Sequence, residues 1–392
     1  MQISTAQSAA LLPDAAMADI AAALQIDRRG HPDFLALHFG AAVPAEILAA
    51  AARPFSQALH GGTSCQGIMS QAGLGIATGG HIGAFAIWDA AGSYGSASRC
   101  LGQDAAEAAR LATLEALAAA GRGGEIPPLV WLTPAPGREE QVIAGVRSVT
   151  GADATIVGGS AADNDVTGQW AQFGPSSTHR DGVVVSVLFP STGFALSYQG
   201  GYAPTGETGI VTRVEGRKLI EIDHRPASAV YHGWTDGVVP LAVDGPRSIL
   251  AASTLWPLGR ITRHVAGVPF HLLAHPAVAH LDGSLDLFAD FAVGDRVWQM
   301  RGSADSLVAR ASQVAVTACA DLAAPPAGAL VVYCGGCMLA VRDRMEQVCG
   351  GITEALGGAP WLGLFSFGEQ GMSGGGQASH GNLMISCTAF AR

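Results

Sequence analysis

Cys334 and Cys337, spaced C-x-x-C at the end of an apolar run, offer the two thiols that either bind a metal ion or cycle between dithiol and disulfide. No second C-x-x-C exists, so a tetrahedral metal site has to recruit Cys65, Cys349, Cys387 or a distant histidine. Two small thiols packed as apolar groups are the plainer alternative. Three turns rich in small residues form the second constellation: GGTSCQG (61–67), GGSAADND (158–165) and SFGEQG (366–371). In them Gly62, Gly159 and Gly368 let backbone N–H groups approach a bound group, while Ser64, Ser160, Asp163, Asn164 and Glu369 supply polar anchors. None of the turns has phosphate-loop spacing or its lysine, and no G-x-G-x-x-G opens a helix, which disfavours a nucleotide.

Histidine is generous at twelve residues. His81, His179 and His380 recur just before the last strand of three similar segments, and His380 stands beside the third turn with Asn382 nearby. His224, His232, His271, His275 and His280 lie in the middle of the chain; any of the twelve can be an axial or direct metal ligand, or a satisfied structural residue. Ser160, Asp163 and His179 hold the residue types of a hydrolytic triad but lack the G-x-S-x-G elbow. Glu369 and His380 are a candidate acid–base pair.

The elements that must position these groups repeat three times. Apolar runs at 32–39, 127–134 and 328–336 each lead into an amphipathic helix (44–54, 138–149, 342–356). A second apolar run follows each helix and ends in one of the three turns. Related turns at strand ends converge on a pocket if the repeats pack around a common centre. The expected fold is α/β (mixed α+β): two related domains of mixed sheets covered by helices, with internal β-α-β repeats, divided as 1–190 and 191–392.

Bulk composition narrows the function classes. At 392 residues with 49% hydrophobic content, the chain is long enough for substantial cores. The formal charge of −10 and single lysine, Lys218, give no basic stripe, so neither nucleic acid nor a membrane surface is an expected partner. No window has the roughly 18 apolar residues that span a bilayer. The first residues lack a basic leader region, and seven cysteines without an export signal read as reduced thiols, so the expected location is cytoplasmic.

Taken in order, GGTSCQG, IVGGSAADND, RPASAVYHGW, LDGSLDLFADFAVGDRVWQM, LVVYCGGC, PWLGLFSFGEQG and SHGNLM resemble the pattern of FIST proteins over nearly the whole chain. The C-terminal signature stands at 363–369, followed by His380 and Asn382. The resemblance implies an N-terminal and a C-terminal FIST domain forming a sensory module without catalysis. Such a module binds a small molecule and reports in trans to a signalling protein such as a histidine kinase. Similarity to the stand-alone NosP-like subgroup implies heme and nitric oxide as the ligand pair, although the motif assigns no heme-ligating histidine. The Cys334–Cys337 spacing departs from the family's commoner single cysteine followed by arginine, and leaves a metal ion or thiol redox role open there. Two alternatives come from other chemistry: an amino acid or similar metabolite whose ammonium meets Asp163 and Glu369, and an enzyme using Ser160 or the Cys334–Cys337 thiols.

Overall fold

A computed structural model of the chain describes residues 1–76, 81–265, 267–372 and 376–392. Twelve main strands fall into three sets of four. They are β1 (Gln2–Ser8), β2 (Phe34–Gly40), β3 (Leu59–Ser64) and β4 (Ile82–Trp88); β5 (Ser93–Cys100), β6 (Leu129–Pro134), β7 (Thr155–Gly159) and β8 (Gly182–Phe189); and β9 (Phe194–Gly200), β10 (Pro326–Cys334), β11 (Trp361–Ser366) and β12 (Met384–Ala391). Each set contributes two helices: α1 (Pro13–Leu24) and α2 (Ala45–Ala52), α3 (Ala105–Ala119) and α4 (Glu139–Thr150), α5 (Ala304–Ala320) and α6 (Met345–Ala355). The expected mixed α/β fold with β-α-β repeats is what the chain adopts.

Every set makes one sheet with the same order: β1-β4-β2-β3, β5-β8-β6-β7 and β9-β12-β10-β11. The central pairs β2/β3, β6/β7 and β10/β11 run parallel, each joined through a crossover helix, and the rest are antiparallel. Side-chain alternation explains the layering. Along β2, Leu35, Leu37 and Phe39 meet α1 and α2, whereas Phe34 and Ala36 turn inward. Trp131 of β6, Leu330 and Val332 of β10, and Leu362 and Leu364 of β11 also turn inward, so the three sheets share one central core.

The sheets also trade hairpins. Gln172–Phe173 and Thr178–His179 of the second set extend the first sheet beside β3, and Glu369–Gly371 with Ser379–Gly381 of the third set extend the second beside β7. Ile68–Ser70 with Gly73–Gly75 of the first set close the cycle against β11. A fourth, nine-stranded sheet is built from residues between 203 and 301, inserted between β9 and α5.

Polar groups enter the central core near its upper end. His60 shares 2.8 Å hydrogen bonds with Ser186 and Thr133, and His38 beside it is also fully buried. Burial pulls His38 down to about 4 and His60 well below its ordinary value, so both imidazoles are neutral.

Candidate functional site

The three turns continue β3, β7 and β11, and the hairpin exchange stitches them together. Cys65 N–H donates to Phe365 O (2.9 Å), and Ala162 N–H to Thr63 O (3.0 Å). Ser160 N–H donates to Gly368 O (2.8 Å), and Gln66 N–H to Asn164 Oδ1 (2.7 Å). Ser64, Ser160 and Ser366 close the three strands, all fully buried. Each is held differently: Ser64 Oγ accepts from Phe365 N–H (2.7 Å), Ser160 Oγ donates to Glu139 (2.9 Å), and Ser366 Oγ donates to Glu369 (2.6 Å).

Above this ring lies a cavity of about 530 Å³. Cys65, Asn164, Asp165, Val166 and Phe367 line it from the turns. Cys334 and Gly336 enter at the start of the short helix Gly335–Ala340, with Leu339 and Ala340 behind them. The inserted segment closes the far side with Leu250, Ala251, Thr254, Leu255, His275 and Phe288. A smaller cleft of about 170 Å³ shares Val166, Phe288 and Phe367 and reaches Glu139 and Arg217.

The cavity wall carries almost no charge. His275 is 3% exposed, its Nε2 bonded to Leu250 O (3.0 Å), and burial lowers it to about 4, which keeps it neutral. Burial pushes the Cys65 thiol up to about 12. The adjoining Cys337 thiol, then burial, drives Cys334 well above its ordinary range. Asp165, at the rim, is the one carboxylate among the described lining residues.

Several residues expected to touch a ligand are engaged in structural contacts. Asp163 is 1% exposed and accepts from the backbone N–H groups of Asp165, Val166, Thr167 and Gln169. It thereby holds Val166 at φ 60°, a left-handed conformation that costs a β-branched residue energy. Glu369 is fully buried, accepts Ser366 Oγ and Met384 N–H, and burial raises its carboxyl well above the usual range. A neutral carboxyl is no anchor for an ammonium group, and Asp163 has its oxygens committed to the backbone. The glycines serve packing: a Cβ on Gly62 would meet Thr133 at 2.6 Å, on Gly159 Val332 at 2.7 Å, and on Gly368 His380 at 2.3 Å. Asn164 alone of the expected anchors lines the cavity together with Asn382.

His380 and Asn382 act as a clamp. His380 Nε2–H donates to Phe288 O (3.0 Å), while Gln370 Nε2 lies 3.3 Å from its Nδ1. Asn382 Nδ2 reaches the same carbonyl at 3.4 Å, and its Oδ1 accepts His275 N–H (3.1 Å). The two residues therefore fix Phe288 and His275 against the cavity. His179 Nε2 bonds Ser177 Oγ, Ser160 Oγ is engaged with Glu139 and Gln370, and Asp163 caps its own loop, so these three do not form a triad.

Metal and heme chemistry fit the donors poorly. Cys334 and Cys337 belong to no group of three mutually close donors among the described residues; the one such group is Glu139, Glu140 and His380. Arg217 already bridges both of those glutamates, at 2.7 and 2.5 Å. The Nε2 atoms of His275 and His380 are each committed to a backbone carbonyl, which leaves neither free for an iron.

Cys65, Phe288, Phe367 and Leu250, Ala251, Thr254 and Leu255 line the cavity without being among the expected ligand contacts. Cys65 sits inside the first turn and Phe367 inside the third, so membership of a repeated turn was the usable signal. Phe288 and the 250–255 stretch carry none.

A FIST N domain model matches residues 34–225, and a FIST C domain model matches residues 227–372. No curated protein matches the sequence. Among solved structures, cyanuric acid hydrolase from A. caulinodans aligns over 100% of this chain and 99% of its own, at 11% identity and a TM-score of 0.36, too slight a likeness to carry an argument. No helix among the described residues is long and apolar enough to cross a membrane. With its two matched regions covering most of its length, the chain belongs to the FIST family, whose domains are associated with small-ligand sensing in signalling.

Proposed function

We propose that the chain is a non-catalytic sensor whose ligand is a small, neutral, largely apolar molecule with one polar edge. The observation behind this reading is the cavity of about 530 Å³ at the junction of all three turns and the inserted segment. Its volume is in the range of small-molecule sites, and its mix of apolar walls with a few placed polar groups is their usual composition. Asn164, Thr254 and Asn382 mark the polar edge, and Leu250, Leu255, Leu339, Phe288 and Phe367 form the apolar remainder. Burying a charged ligand here without a counter-charge is costly, which sets a neutral ligand above an amino acid or an anion. The bound state reports through the inserted segment, which closes the cavity, to a separate signalling protein such as a histidine kinase.

Gly336→Val gives the test. A Cβ at this position meets nothing closer than 3.4 Å, but the added methyl groups project between Cys334 and His275. In a thermal-shift screen of neutral heterocycles and aromatics, a hit should stabilise the native chain by about 2.7 kcal/mol at a hundredfold excess over Kd. It should leave the melting of Gly336→Val unchanged. The reading is overturned if stabilising ligands act equally on the variant, or if hemin is taken up with a Soret band that disappears in His275→Ala.

A further inference from the structure

We propose that Cys334 and Cys337 form a thiol–disulfide exchange site, entered from the cavity by a small neutral disulfide. The two cysteines have distinct places. Cys334 caps the N-terminus of the short helix Gly335–Ala340 and lines the cavity at 5% exposure. Cys337, three residues on, is 2% exposed and does not reach the cavity; its Sγ lies 3.4 Å from Tyr202 Oη. The Cys337 thiol is close enough to Cys334 to hydrogen-bond its sulfur, with the backbone N–H groups of Gly336 and Cys337 also directed there. One thiol thus meets an incoming molecule while the other waits behind it.

Space favours the approach. Gly336 has no side chain, and the volume its Cβ would fill lies 3.7 Å from Cys334 Sγ and 3.5 Å from His275 Cε1. Charge selects the chemistry. Metal capture requires both buried thiols to be ionised at once, and among the described residues no group of three mutually close donors includes them, whereas exchange needs one thiolate at a time and begins and ends with a neutral disulfide. The inference goes beyond ligand sensing and does not depend on it.

The exchange proceeds in two displacements. Deprotonated Cys334 sulfur attacks one sulfur of the incoming disulfide, forming a mixed disulfide and expelling one thiolate. Deprotonated Cys337 sulfur then attacks the Cys334 sulfur, and the second thiolate leaves. The two cysteines are oxidised by two electrons, the small disulfide is reduced to two thiols, and the two cysteine protons end on the departing thiols. The thiolate is the nucleophile, and the adjoining Cys337 thiol, then burial, disfavour it at Cys334, which also faces the titratable groups of Glu369, Cys65 and Tyr202, so the rate rises with pH across the neutral range.

The test uses the full chain in a Cys100→Ser background, which removes the exposed cysteine. The native protein is treated with hydroxyethyl disulfide, and products are mapped by mass spectrometry after alkylation. Loss of two thiols with a 334–337 link is expected, together with a mixed disulfide trapped on Cys334 in Cys337→Ser and in Cys337→Ala. A cooperative melt in either variant shows that the trapping occurs in folded protein. A Cys65–Cys334 link, trapping on Cys337 in Cys334→Ala, or oxidation only after unfolding in urea overturns the assignment.

Discussion

Two buried polar regions flank Phe367, and they differ in what is left over. On one side the cavity presents Cys334, His275, Asn164 and Asn382 around empty space. On the other, Glu139 (1% exposed) accepts Ser160 Oγ and Arg217, Ser160 accepts Gln370 Nε2, Gln370 faces His380, and His380 holds Phe288 O. The second region is richer in the residue types that do chemistry, yet its groups are nearly all engaged with one another. Polarity marks where a protein spends hydrogen bonds; room beside a few placed groups marks where it receives a ligand.

The largest test of this contrast is acid. His38 and His275 have folded values of about 4 against 6.5 unfolded, and burial holds His60 well below its ordinary value too. Below pH 6.5 the unfolded chain therefore binds protons that the folded one refuses. Stability is full above that pH and falls as pH drops toward 4, by up to about 1.4 kcal/mol per pH unit for each histidine. Urea denaturation at pH 7.5 and 5 should show a loss of several kcal/mol; a flat profile would mean that these rings are not dry in solution. His275→Asn should lower the slope by one histidine's share.

Arg217→Ala comes next. It leaves Glu139 and Glu140 without their shared cation, and removing one partner of a buried pair costs about 3–5 kcal/mol. Asn164→Ala, on the cavity side, should cost less than about 1 kcal/mol, since it loses one exposed hydrogen bond. Equal costs for the two substitutions, measured by urea titration, would erase the distinction between a saturated region and an open one. Ser160→Ala should fall between them, at about 1–3 kcal/mol, because it strands a Glu139 oxygen and the Gln370 amide. The smallest expected effect is none: affinity for a neutral ligand should stay constant from pH 6 to 8, since His275 does not titrate there. A change in Kd over that range points to a charged ligand instead.

The architecture was more legible than the site. Apolar runs ending in small-residue turns announced β7 and β11, because a strand buried on both faces reads as a continuous apolar stretch, whereas β3 (LHGGTS) was marked by its small-residue turn. The turns also carried their own meeting point, since related units pack alike. The hairpin exchange was hidden: Gln172 pairs with Gly62, 110 residues earlier, and nothing local to either residue names the other. The hydrogen-bond partners of Asp163, Glu369 and His380 were hidden for a related reason. An acid that caps a loop and an acid that binds a ligand are the same letter, and only the tally of partners separates them. Phe288 and the 250–255 stretch come from the inserted segment, which shares no pattern with the repeats.

The traded hairpins have a consequence for synthesis. The second sheet is completed by Glu369–Gly371, and the cavity by Asn382, so residue 382 has to be translated before the chamber exists. An emerging N-terminal portion exposes the free edge of β7 and must be kept from pairing with other chains until Glu369–Gly371 arrive. The cavity is therefore a late product of synthesis, however early its first wall is made.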